Sequence, residues 1–165
     1  MIFVSVGMHI QGFDRLIQKM DEIAGEIDEE VIMQIGFTQY QPKNAKYFNS
    51  INELQKIQEL NRKARIVVCH GGAGTIITAL AEGTPVIAIP RLKKYNEHLN
   101  DHQLELVNEL AKNGIITKVQ DINELEHLIK IHDGKKVEIK KERELLIKTL
   151  REYIDNLEEK RRKKN

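Results

Sequence analysis

The chain has 165 residues, of which 41% are hydrophobic and 31% are charged, and its formal net charge at pH 7 is +1. These values are typical of one soluble globular domain, because a chain of this length can bury about 70% of its extended surface around a single core. They argue against two independent domains and against a fibrous or disordered protein.

Strand and helix patterns alternate along the chain. Apolar runs predict strands at residues 2–7, 31–36, 65–70, 85–89 and 115–119. Helical spacing of apolar residues predicts helices at residues 13–24, 52–61, 73–81, 99–111 and 122–131. Several strands are apolar throughout, which is typical of parallel strands covered by helices on both faces. We therefore predict an α/β fold, a single Rossmann-like domain over residues 1–134 with a doubly wound parallel sheet and ligands at the carboxyl ends of the strands.

Residues 135–165 are predicted as a charged amphipathic helix with a basic tail. The helix, over about residues 136–160, has an apolar stripe that either covers its own domain or docks on a partner. The stripe consists of Ile139, Leu146, Leu150, Tyr153 and Leu157. This segment has 12 Lys or Arg against 7 Asp or Glu, a net charge of +5, so that residues 1–134 carry −4. The tail fits contact with anionic lipid or nucleic acid, or a solvated helix end. The acidic body argues against nucleic acid as the main ligand.

The number of cysteines and the length of the apolar runs indicate in which part of the cell the protein works. The one cysteine, Cys69, cannot form an internal disulfide, which favours a reducing, cytoplasmic setting. The apolar start of the chain is too short for a signal peptide, and no apolar run approaches the ~20 residues that span a bilayer. We expect a cytoplasmic chain that something else would hold at a membrane.

The most informative stretch is a glycine-rich turn between a buried strand and a helix. Its residues are His70, Gly71, Gly72, Ala73, Gly74 and Thr75. Glycines leave backbone N–H groups open to a ligand, and a helix N-terminus adds unpaired donors, so the turn suits a diphosphate. It lacks the Lys-Ser/Thr of a Walker P-loop and the GxGxxG spacing of dinucleotide sites. A structural turn without a ligand is the alternative.

A second glycine turn, Gly7-Met8-His9, follows the first strand. In a doubly wound sheet the two turns lie at the same edge, so that together they would flank one ligand. His9 is either aimed into that cleft or is an exposed loop histidine.

Polar residues also follow the strand at residues 85–89. On the next predicted helix, Gln103 shares a stripe with Leu99 and Leu106, which places an amide at the start of an apolar face. This amide either forms hydrogen bonds with the hydroxyl groups of a sugar, or it forms them with backbone groups of the protein. Its polar neighbours are expected to be solvated by default: Asn96, Glu97, Asn100 and His102. No zinc, nucleophilic-serine or Asp-x-Asp pattern occurs, so we expect no metal and a metal-independent mechanism.

At these clusters the chain resembles the glycosyltransferase family 28 C-terminal domain. The matching stretches are residues 3–17, 67–76 and 83–107, and the resemblance covers about residues 1–130. Within the family it is similar to stand-alone donor-binding subunits of two-component enzymes. These are the exopolysaccharide type and the catalytic subunit of the UDP-N-acetylglucosamine transferase of dolichol-linked oligosaccharide synthesis.

The resemblance implies the C-terminal half of a GT-B fold and an inverting, metal-independent hexosyl transfer. The donor would be a UDP-sugar, with no further cofactor, and the acceptor a polyprenyl-diphosphate-linked saccharide bound by a membrane-anchored partner on the cytoplasmic face. By position, residues 7–9 and 70–75 would hold the diphosphate, and His102 and Gln103 would reach the sugar. Residues 87–91, ending at Arg91, would border the uracil. The catalytic group is left open between His9 and the partner.

Two positions depart from the family pattern. Thr78 stands where members that bind the ribose firmly often have an acidic residue, and charge-assisted hydrogen bonds are about twice as strong as neutral ones. Met8 stands where a threonine is usual. Because of Thr78, a second hypothesis remains, in which the chain is a non-catalytic, nucleotide-binding activator subunit. A Rossmann-type oxidoreductase, the third reading, lacks its glycine fingerprint.

Overall fold

The computed structural model of the chain describes residues 1–51, 53–136 and 139–162. The strands are β1 Ile2–Ser5, β2 Val31–Gln34, β3 Lys46–Phe48, β4 Ile66–His70, β5 Val86–Ile89 and β6 Thr117–Lys118. The helices are α1 Asp14–Glu26, α2 Leu54–Lys63, α3 Ala73–Ala81, α4 His102–Lys112, α5 Leu125–Ile131 and α6 Ile139–Arg162, with 3-10 turns at Lys93–Tyr95 and Ile122–Glu124. All strand pairs are parallel, in the order β3-β2-β1-β4-β5-β6. The predicted doubly wound α/β fold is confirmed.

Two apolar layers hold helices on both faces of the sheet. Side chains alternate along each strand, so that Ile2 and Val4 of β1 pack in the layer with α1 and α5. Phe3 points to the opposite layer, which contains side chains of α2, α3, α4 and α6. Strands β1, β4 and β5 are buried on both faces, which explains why their sequences are mostly apolar.

The sequence prediction lacked β3. Residues 35–45 connect β2 to β3 without a helix, and they are fastened to α1 by the carboxylate of Asp21. This carboxylate accepts hydrogen bonds from the backbone N–H groups of Lys43 and Asn44 and from the Tyr40 hydroxyl, at 2.7–3.0 Å. Burial acts to raise the pKa of Asp21, but these hydrogen bonds outweigh it and the pKa is lowered on balance. An ionised side chain thus replaces a crossover helix in positioning the edge strand.

The terminal helix α6 packs on α3 and α4, so the own-domain alternative for its apolar stripe is confirmed. Leu146 is buried, and Leu150 and Tyr153 pack against the same layer. The side chains of Ile139 and Leu157, and residues 163–165 of the basic tail, lie outside the described residues. Asn52, where the second helix was predicted to begin, also lies outside them, and α2 begins at Leu54.

The helix predicted from residue 99 begins only at His102. Leu99 is 74% exposed, and the chain before it turns at Asn96, which has a left-handed φ of 57°. Asn100 Oδ1 accepts a hydrogen bond from the His102 backbone N–H at 3.2 Å. A polar loop therefore occupies residues 96–101. In the part of the chain that the structure describes, no helix has the length and apolar character needed to cross a membrane.

Candidate functional site

The crevice of the site lies between the carboxyl ends of β1 and β4. Chain connections leave these neighbouring strands in opposite directions, β1 to β2 and β4 to β5, which opens a crevice where doubly wound folds bind ligands. Both glycine turns are here, and the His70 imidazole lies between them. A Cβ on Gly7 would lie 2.8 Å from His70 Cε1, and one on Gly72 would lie 2.2 Å from His70 Nε2. Gly7 also has a φ of +68°, which favours glycine.

His70 is buried and neutral at physiological pH. Burial is the main cause that lowers its pKa to about 4, and Arg91 and the histidines at positions 9 and 98 lower it further. Its Nδ1 lies 3.3 Å from the Ser5 carbonyl oxygen, so that Nδ1–H donates to that oxygen. Nε2 then acts as an acceptor that faces the glycine loop.

The glycines of the loop differ in what surrounds them. A Cβ on Gly71 would lie 2.7 Å from Val107 Cγ2 and 3.0 Å from Gln103 Cβ, so α4 packs directly against this residue. Gly74, in the first turn of α3, has no heavy atom within 4 Å of the Cβ position. Protein packing therefore accounts for glycine at positions 71 and 72, whereas Gly74 faces open space at the start of a helix.

Arg91, predicted among the donor-binding residues, is fully buried. Its guanidinium donates to the carbonyl oxygens of Val6 (2.8 Å), Gly12 and Glu97 (3.3 Å), and lies 4.7 Å from the Phe13 ring centroid. Burial lowers the pKa of Arg91 to about 10, which still leaves the group charged at neutral pH. Its side chain fixes the loop after β1 to the loop after β5, and it can act on a donor only through those loops.

A cavity of about 290 Å³ lies beside the glycine loop. It is lined by Gly71, Gly72, Ala73, His98, Asn100, His102, Gln103, Leu106 and Tyr153. The Gln103 carbonyl oxygen accepts a hydrogen bond from the Arg91 backbone N–H at 3.2 Å, as in the backbone-satisfied alternative. The Nε2–H groups of Gln103 are therefore the part of this amide that can donate hydrogen bonds to a ligand. Tyr153 was not predicted at the site, because it reaches the cavity from α6, about 50 residues beyond Gln103 in the sequence.

The loop after β5 contains two residues whose roles the sequence did not indicate. Glu97, expected to be solvated, is 7% exposed; its carboxylate pairs with Arg15 at 2.7 Å and accepts from the Leu92 backbone N–H at 3.0 Å. His98 stacks on His9, with ring centroids 4.6 Å apart. A periodic apolar pattern carries no signal for such loop contacts, since they depend on how two distant turns meet.

The remaining predicted positions have mixed surroundings. The Thr78 hydroxyl donates to the Gly74 carbonyl oxygen at 2.7 Å within its own helix, and Met8 is 49% exposed. Residues 87–91 are buried throughout, so they expose little surface that could border a uracil. Within residues 1–51, 53–136 and 139–162, no group of three or more His, Cys, Asp or Glu side chains is placed to hold a metal ion.

Comparison with known proteins gives one family. Residues 1–157 match the model of the glycosyltransferase family 28 C-terminal domain. Over 59 residues the chain is 39% identical to the human UDP-N-acetylglucosamine transferase subunit ALG13, a match that covers 35% of this chain and 5% of the human protein.

Solved structures show the same fold. The glycosyltransferase SnogD from Streptomyces nogalater superimposes with a TM-score of 0.56 at 22% identity, over 90% of this chain and 37% of that one. The glycosyltransferase of kitacinnamycin superimposes with a TM-score of 0.57 at 20% identity, over 90% of this chain and 39% of that one. The chain therefore spans less than two fifths of these structures, and its single six-stranded domain matches the C-terminal halves of GT-B glycosyltransferases.

Proposed function

The chain belongs to the glycosyltransferase family 28 C-terminal domain family, and on this premise we propose that it is the donor-binding catalytic subunit of a two-component glycosyltransferase. It transfers a hexose or N-acetylhexosamine from a UDP-sugar to a polyprenyl-diphosphate-linked saccharide. The human relative is named as a subunit of a UDP-N-acetylglucosamine transferase, which makes UDP-N-acetylglucosamine the first donor to test.

The observation that carries the proposal is the convergence of three separate segments on one crevice. The turn after β1, the glycine loop after β4 and the start of α4 meet at the switch point of the sheet. The first turn of α3 presents unpaired N–H groups with a partial positive charge, and Gly74 leaves that turn open. A diphosphate fits this position, with the sugar toward His102 and Gln103.

The proposed transfer is inverting, as the resemblance to the family implies. It needs neither metal nor cofactor, because the helix start can stabilise the charge that develops on the leaving UDP. The imidazole of His9 can add a donor to the same charge. His9, in the turn after β1, is the candidate for a catalytic side chain of this chain. His9 would act there as a hydrogen-bond donor to the leaving diphosphate, and the partner would supply the base.

A partner subunit is expected to cover the crevice. Five large apolar side chains are exposed in loops that follow β1, β2 and β5, all at the carboxyl edge of the sheet: Met8, Ile10, Phe37, Tyr95 and Leu99. The cavity of about 290 Å³ is at the small end for ligand pockets, which span about 300–1,000 Å³. A second wall that binds the lipid-linked acceptor would complete it, and would hold this chain at the cytoplasmic face of the membrane.

Activity of the solubilised complex tests the proposal. The tagged chain is isolated from detergent-solubilised membranes with its membrane-anchored partner, then given radiolabelled UDP-N-acetylglucosamine or UDP-glucose and polyprenyl-diphosphate-linked acceptors. We expect transfer by the complex, little by the isolated chain, and no loss with EDTA. Robust transfer by the isolated chain would contradict the two-component reading, and loss with EDTA that magnesium restores would contradict the metal-free mechanism.

A second candidate function is a non-catalytic, nucleotide-binding activator of a membrane glycosyltransferase. Thr78 favours it, because a hydroxyl that already donates within its own helix replaces the acidic residue expected at the ribose. The replacement Thr78→Glu separates the two functions. In a donor-binding subunit it should tighten UDP binding and raise transfer, whereas in an activator it should leave the partner's transfer rate unchanged.

A further inference from the structure

A pair of stacked histidines connects the two loops that border the crevice. His9 lies in the loop after β1 and His98 in the loop after β5, with ring centroids 4.6 Å apart and 28° between the ring planes. His98 also lines the cavity beside Gly71 and Gly72. The pair therefore extends from the first glycine turn to the start of α3.

Hydrogen bonds indicate which nitrogen carries the proton in each ring. His9 Nδ1 accepts from the Gln11 backbone N–H at 3.4 Å, and His98 Nδ1 accepts from the Asn100 backbone N–H at 3.3 Å. A nitrogen that accepts cannot carry the proton of a neutral imidazole, so each neutral ring has Nε2–H as its donor. This group suits a phosphate oxygen.

The titratable groups that face His9 are other imidazoles and a cation. They are His98 on its stacked face, His70 at the end of β4 and Arg91 after β5. Burial is the largest cause that lowers the pKa of His9, followed by His98 and Arg91. His9 is therefore neutral in the free protein at physiological pH, and a diphosphate in the crevice would reverse the balance of charge around it.

The nearest acidic side chain in the sequence does not supply that negative charge. Glu97 precedes His98, but its carboxylate is directed to the Arg15 guanidinium and to the Leu92 backbone N–H. Glu97 is therefore not directed at the histidine pair, and a bound diphosphate would be the anion that favours a positive charge on it.

We propose that His98 positions His9 to take up one proton from solvent when the diphosphate of the donor binds, so that donor binding is tighter at lower pH. This inference rests on the proposed UDP-sugar site. The proton goes to Nδ1 of His9, where it replaces the long hydrogen bond from Gln11, while Nε2–H continues to donate. His98 acts as a positioning residue, because its ring stacks on His9 and holds it between the two loops.

Calorimetry of donor binding to the purified complex, in buffers of different ionisation enthalpy, tests the proposal. The probe is UDP-N-acetylglucosamine, whose doubly esterified diphosphate does not titrate near neutral pH, unlike the terminal phosphate of UDP with a pKa of about 6. We expect uptake that approaches one proton per donor. The Kd should rise as the pH increases above 6.5, by up to about tenfold per pH unit.

Four variants test which side chain takes up the proton when the donor binds. His9→Gln should abolish the uptake, and His98→Ala should reduce it, whereas His98→Phe should retain it because a phenyl ring can still stack. His127→Gln, an exposed histidine on α5, is the matched control and should behave as the wild type. If His98→Ala does not fold, His98→Phe and His9→Gln still decide the question.

Two results would overturn the inference. The first is donor binding without proton uptake, or uptake that persists in His9→Gln. Either outcome would contradict the proposed role of the histidine pair and would leave the proposed function unaffected. No binding of UDP-N-acetylglucosamine or UDP-glucose by the complex would overturn both.

Discussion

Replacing Gly74 with alanine should stabilise the fold and weaken donor binding. Gly74 lies in the first turn of α3, and its Cβ position is open, so a methyl group meets no protein atom. Alanine is favoured over glycine in helices by about 0.5–1 kcal/mol, which corresponds to a rise in Tm of about 1–4 °C for a chain of this size. A methyl group in the path of the diphosphate should cost about 1–3 kcal/mol, or about 5- to 150-fold in Kd.

Urea unfolding and calorimetric titration with UDP-N-acetylglucosamine measure the two effects separately. Gly25→Ala in α1 is the control for donor binding, because Gly25 is also helical but lies at the opposite edge of the sheet, where its Cβ would contact the Asn44 side chain. It should bind the donor as the wild type does. A Gly74→Ala protein that is more stable and binds the donor normally would refute the placement of the diphosphate at the start of α3.

Three further predictions concern the groups that shape the crevice. Gly72→Val should abolish donor binding and also destabilise the fold by about 1–3 kcal/mol in urea unfolding, because the new side chain displaces the His70 imidazole; unchanged stability would contradict this packing. Arg91→Met should lower the unfolding free energy by at least about 2 kcal/mol, since the carbonyl oxygens of Val6 and Gly12 lose a charged donor; a smaller loss would show that water replaces it. The lowered pKa of His70 means that the unfolded chain takes up its proton first. The wild type should therefore lose stability as pH falls from 6.5 to about 4, and His70→Gln should lack this part of the slope; equal slopes in urea midpoints would argue against a neutral buried His70.

The fold could be predicted well from the sequence because buried parallel strands and amphipathic helices leave strong periodic signals. The exception is β3, Lys46–Phe48, which has three residues, lies at the edge of the sheet and has two exposed side chains. Its position depends on the ionised Asp21, a contact between residues more than 20 positions apart. No local pattern encodes such a contact.

The candidate site could be predicted in its glycine turns but not in its side-chain contacts. The alternation of strands and helices predicted that both turns follow parallel strands at the carboxyl edge of the sheet, and the structure has them there. Whether a polar loop residue faces solvent, a neighbour or a ligand depends on where the next loop lies. The buried Glu97, the stacked His98 and the distant Tyr153 were therefore missed, and Arg91 was given a ligand-facing role that its complete burial limits.

The hydrogen bonds from the Arg91 guanidinium to the loops after β1 and β5 form a clamp, and this clamp affects the order in which the chain folds. Its partners Gly12 and Val6 lie 79 and 85 positions away in the sequence, so the clamp can close only after β1, β4 and β5 have come together. Loops at a ligand site also open locally at a lower free energy than buried strands do. We expect the backbone amides of residues 7–13 to exchange with solvent deuterium faster than those of the strands. A ligand bound in the crevice should slow that exchange, because it binds only the closed arrangement of the two loops.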